Sequence, residues 1–146
     1  MALTFGHSSA GFLIALLILP KEAINLTFLI PISLLSILPD IDLILNIKHR
    51  TLTHSIYSIL PFILIGILIF LILEYITSIY ISVETLIVFL ILLWTQHIIL
   101  DMLFGKVRLI DKQIGIGKEI WEKYNICISR YDMIIGFLLL GIALLL

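Results

Sequence analysis

A single cysteine, Cys127, stands in a chain of 146 residues. That excludes an internal disulfide and a cysteine-rich zinc cluster. Charge is scarce as well: Asp, Glu, Lys and Arg make up 13% of the residues, about half of the ordinary share of roughly 25%. The net charge is −1, so no global basic field exists to attract nucleic acid, and no nucleic-acid partner is expected. The glycine patterns that cradle nucleotides or carry a serine nucleophile are missing, and Gly115-Ile-Gly117 is too short to replace them. The N-terminus has neither a basic stretch nor a small-residue cleavage site, so its apolar run reads as a first membrane segment rather than a removable signal peptide.

What the chain does have is hydrocarbon. Hydrophobic residues make up 62% and the mean hydropathy is +1.25, against a usual apolar share of about 45–50%. A soluble domain of this length cannot bury that much apolar surface. The expectation is an all-α, polytopic membrane helix bundle forming one domain over residues 1–146. Five apolar blocks mark the segments: Ala10 to Pro20 with a start reaching back toward Thr4, Leu26 to Leu38, Ile56 to Leu73, Thr85 to Leu100, and Met133 to Leu146. Only the third and fourth approach the roughly 20 residues of a full span. Pro31 and Pro61 fall inside blocks and predict kinks. Between the fourth and fifth blocks, over Ile110 to Ile128, apolar residues at 110, 114, 121, 124 and 128 suggest an interfacial helix, weakened in its first half by Gly115 and Gly117; the alternative is an irregular basic loop.

Lys and Arg are divided unevenly among the loops. The second-to-third loop has Lys48 and Arg50, and the fourth-to-fifth has Lys106, Arg108, Lys112, Lys118, Lys123 and Arg130. The two alternate loops have only Lys21 between them. The positive-inside rule then predicts a multi-pass protein of the cell (inner) membrane, with the N-terminus cytoplasmic and the C-terminus outside. This topology gathers seven groups at the cytoplasmic side: His7, Asp40, Asp42, His49, His54, His97 and Asp101, which include all four histidines. Ionisable groups beside such apolar surface are costly and mark a functional site.

Each motif has a plainer reading. His97 and Asp101, four apart on one helix face, can share a metal or simply hydrogen-bond. Asp40 and Asp42 can face one cation, or sit in a solvated turn with an Asp cap. His49 and His54 flank a loop-to-helix transition in which Thr53 is the expected N-cap. Arg50 beside them reads as a phosphate clamp or as a positive-inside anchor. His7 alone is an interfacial polar residue. Taken together, imidazole with carboxylate suits one or two divalent transition metals, zinc first and manganese second. Such a site suits hydrolysis of a phosphate ester by metal-activated water, with Asp40, Asp42 and Arg50 as the catalytic set.

Pro39-Asp40-Ile-Asp42, His49-Arg50-x-x-Thr53-His54-Ser55 and His97-x-x-x-Asp101, with His7, resemble the YdjM-type inner-membrane proteins. The resemblance spans about Phe5 to Asp101 and implies a membrane-bound, metal-dependent hydrolase. A more distant likeness joins the same ligand pattern to zinc-dependent phospholipase C enzymes, although no histidine remains here for their further ligands. Family members often have a Pro-Gly turn after the second motif, where this chain reads Asp101-Met-Leu-Phe-Gly105. The expected substrate is a membrane lipid, most simply a phospholipid. The alternative is a non-enzymatic metal-binding membrane regulator, or a metal or ion carrier.

Overall fold

The computed structural model describes residues 4–41, 53–104, 107–108, 113–115, 128–143 and 145. Five α-helices dominate them: α1 (Thr4–Ile18), α2 (Leu26–Ile37), α3 (Ile59–Thr77), α4 (Val83–Phe104) and α5 (Ile128–Ala143). The helical, membrane-type reading therefore holds, and each apolar block becomes a helix with shifted ends. Asn25 caps α2, its side chain accepting from the backbone N–H of Thr27 and Phe28 at 3.0 and 3.3 Å. Single 3₁₀ turns at Leu38–Asp40 and Ile56–Ser58 close α2 and lead into α3.

Two helical runs, Ile56–Thr77 and Val83–Leu103, are long and apolar enough to cross a membrane. At 1.5 Å per residue each exceeds the ~30 Å of a bilayer's hydrocarbon core. α1 and α2 are shorter apolar helices. On α3 the buried residues Phe62, Gly66, Phe70 and Leu73 form one stripe, while Leu60, Leu64, Leu68 and Leu71 on the other faces are exposed. A Cβ at Gly66 would lie 2.4 Å from Leu90 Cδ2, so glycine permits the close approach of α3 to α4 there. The core is filled by Phe28, Ile32 and Leu35 of α2, Phe70 of α3, and Phe89, Leu90 and Leu93 of α4.

Three expectations change. Pro61 lies in the first turn of α3, where its missing N–H has no helical partner to lose, so the mid-block kink is not required. Thr53 does not cap α3: the cap position is Ser58, which makes no side-chain capping bond, and the Thr53 hydroxyl turns to His54 instead. Within the proposed interfacial helix, Gln113–Ile114 pair with Val107–Arg108 as a two-residue antiparallel ladder, and Gly115 follows at φ 152°, which its missing Cβ allows. The rest of that helix, 110–112 and 116–127, lies outside the described residues.

Candidate metal centre

Four chain segments deliver ionisable side chains to one end of the bundle. α1 runs away from that end and α2 back to it. α3 leaves again, and α4 returns. His7 therefore lies near the start of α1, Asp40 in the turn after α2, His54 in the turn before α3, and His97 with Asp101 in the last turns of α4. His7, His54 and His97 are 0% exposed and Asp101 is 1% exposed.

Asp40, His54, His97 and Asp101 can each direct one donor atom at a common centre, with all four donors within 4.8 Å of one another. The individual spacings are more telling. His54 Nε2 is 3.3 Å from His97 Nε2 and 3.3 Å from Asp40 Oδ1. His97 Nε2 is 3.5 Å from Asp40 Oδ1 and 3.6 Å from Asp101 Oδ2. His54 Nε2 to Asp101 Oδ2 is the short edge, at 2.7 Å. Ligands held tetrahedrally around zinc at ~2.0–2.1 Å stand about 3.3–3.4 Å apart. Four of these five edges fall close to that value, so the donor set fits a small divalent ion in both chemistry and spacing.

The remaining imidazole nitrogens are held in the way ligating histidines require. His97 Nδ1 lies 2.7 Å from the carbonyl oxygen of Ser36. A carbonyl only accepts, so Nδ1 carries the proton and Nε2 keeps its lone pair for the centre. His54 Nδ1 is 2.9 Å from Thr53 Oγ1, and its Nε2 also faces the centre. Without an ion, burial penalises the charged His54, but its contacts with Asp101 and Asp40 outweigh that and push its pKa up to about 9. A proton and a cation would thus compete for His54 Nε2.

His7 is placed against the centre rather than in the four-donor set. Its ring stacks on His97 with centroids 3.8 Å apart and an 18° tilt. Its Nε2 stands 3.7 Å from Asp101 Oδ1, beyond hydrogen-bond reach. The close approach comes from one turn further along: a Cβ on Gly11 would lie 1.9 Å from Ser36 Oγ and 2.9 Å from Leu93 Cδ1. Gly11 is four residues after His7, and Leu93 is four before His97, so the same helix contact sets the stacking. Asp42, His49 and Arg50 lie outside the described residues. The features missed by sequence reasoning are Gly11, the Ser36 carbonyl and the Thr53 hydroxyl. Only Thr53, next to a histidine, gave any signal.

The family described as YdjM inner membrane protein matches residues 1–106. That is well over half of the chain and covers every residue of the centre, so the chain belongs to the YdjM inner membrane protein family. No curated protein and no solved structure matches it.

Proposed function

We propose that this member of the YdjM family is a membrane-embedded, metal-dependent hydrolase of a lipid phosphate ester. The observation that carries the reading is the convergence of two imidazole nitrogens and two carboxylate oxygens within 4.8 Å of one another, four of their edges at 3.3–3.6 Å, at a bundle end flanked by lipid-facing helices. Asp40, His54, His97 and Asp101 would hold the ion, zinc first and manganese second. Bound there, a divalent ion supplies Lewis acidity for ester hydrolysis, activating water near neutral pH and offsetting charge on the phosphoryl group. The chain's own contribution is orientation. Ser36 and Thr53 hold the two rings, and His7 closes the α1 side of the centre. The Asp40 side chain is the open side, at 18% exposure against 2% for Asp101, and a substrate head group enters there.

In this reading the centre faces the cytoplasm, because eight of nine Lys and Arg fall in the loops on its side. Arg50, four residues before His54, steadies a phosphate oxygen, and Asp42 assists proton transfer. A carrier would need polar groups along a path between the two membrane faces. Residues 86–93 of α4 and 59–73 of α3 offer none, which favours hydrolysis.

The test is phosphate or head-group release from a panel of lipid phosphate esters in detergent, with added zinc or manganese. Release that disappears in His97→Ala is expected. Arg50→Ala should lower the rate about ten- to a hundredfold, the worth of one charge-assisted contact. Metal-loaded protein inactive on the whole panel would instead favour the non-enzymatic metal-binding reading.

A further inference from the structure

A cavity of about 160 Å³ opens beside the centre, between the end of α2 and the first turns of α3. Leu38, Pro39, Thr53, Pro61, Ile65 and Trp94 are among its lining residues. Its polar lining groups are turned elsewhere. Thr53 Oγ1 is engaged with His54 Nδ1, and Trp94 Nε1–H donates to Ser58 Oγ at 3.2 Å. Ser58 Oγ–H in turn points to the carbonyls of Thr53 and Ser55. The groove therefore presents hydrocarbon. At one end, Pro39 and Thr53 directly precede Asp40 and His54, two of the four donors. Ile65 on α3 is 44% exposed, which leaves the groove open on that helix's lipid-facing side, and Ile41, next to Asp40 at the α2 side, is 36% exposed.

We infer that this groove holds a single hydrocarbon chain of the lipid whose phosphate lies at the centre. An apolar trough that ends against a cation-binding cluster matches an amphiphile, with its tail in one and its anionic head at the other. Size fixes what the groove holds: a cavity of ~150 Å³ is filled by one benzene ring, so there is room in it for a short stretch of one chain and not two. The substrate class is then a phosphate ester carrying at least one alkyl or isoprenyl chain that reaches this groove. The assignment of the head group rests on the hydrolase reading; the chain site does not.

The experiment uses the full chain in nanodiscs with dodecyl phosphate carrying a mid-chain diazirine, and maps the photolabel by peptide mass. Labelling, assigned residue by residue from fragment ions, should concentrate on Pro61, Phe62 and Ile65 and on Leu38, Pro39 and Ile41, and be displaced by unlabelled dodecyl phosphate but not by inorganic phosphate. Ile65→Trp, which fills the groove from a half-exposed position, should reduce it at least fivefold with metal content unchanged. Ile41→Trp narrows the groove from the α2 side and should do the same, while Ile65→Ala should retain labelling. Label spread over Leu60, Leu64 and Leu68 without competition, or unaffected by both narrowing variants, overturns the chain site. Competed labelling without phosphate release from any lipid keeps the groove and overturns the hydrolase. Phosphate release with an unchanged KM in both narrowing variants keeps the hydrolase and overturns the groove.

Discussion

The two halves of α4 are buried alike but held by opposite chemistry. In the first half, Leu86, Phe89, Leu90 and Leu93 pack against α3 and the rest of the core at 0–4% exposure. In the second, His97 and Asp101 are as deeply buried, at 0% and 1%, yet their neighbours are His7, Asp40 and His54. The first half loses nothing by leaving water and gains from shape. The second must offset the desolvation of ionisable groups, and does so only because they were gathered from four segments. The comparison teaches that one helix can be a structural element at one end and a ligand carrier at the other, without a change in burial.

If that division holds, substitutions in the two halves should separate cleanly. The largest effect is expected from His54→Ala or Asp101→Ala, which remove donors. Affinity for zinc should fall by more than a hundredfold, beyond the ~10–100-fold typical of outer-shell partners; isothermal titration reads it. Phe89→Ala should instead lower stability by about 3–5 kcal/mol through the cavity it leaves, with metal per folded chain unchanged. A thermal shift without metal loss supports the division, and joint loss breaks it.

Gly11→Ala sharpens the comparison at the seam between the halves. The added Cβ must push α1 from Ser36 and Leu93, costing about 1–3 kcal/mol. It should also disturb the Ser36 contact that orients His97. Its effect on metal affinity should fall between those of Phe89→Ala and His54→Ala.

The most graded effect is pH dependence. With His54 raised to about 9, the metal-free protein gains stability from that proton below about pH 6.5 and loses it as pH rises through 9. Metal competes for the same nitrogen, so affinity should rise about tenfold per pH unit up to pH 9, with one proton released on binding. The buried stretch 86–93 of α4 has no titratable group to contribute. Melting curves and binding measured from pH 6 to 9 should therefore slope in opposite directions.

Much of this was legible in the sequence. The i, i+4 spacing of His97 and Asp101 names one helix face, and alternating helix direction brings His7, Asp40 and His54 to its end. What stayed hidden depends on the backbone. The Ser36 carbonyl that orients His97 has no side-chain signature, and a glycine such as Gly11 looks like any other small residue in an apolar helix. Thr53 was misread because an N-cap and a histidine partner use the same hydroxyl. Pro61 was misread because the 3₁₀ turn at Ile56–Ser58 shifts the helix start.

The central claim, that α4 ends in a metal centre, is tested most directly by metal analysis of purified protein loaded with zinc or manganese in chelator-free buffer, wild type beside His97→Ala. The account predicts close to one equivalent per chain in the wild type and less than a tenth in the variant. A wild type that retains less than a tenth of an equivalent, or a variant that retains as much as the wild type, would contradict it.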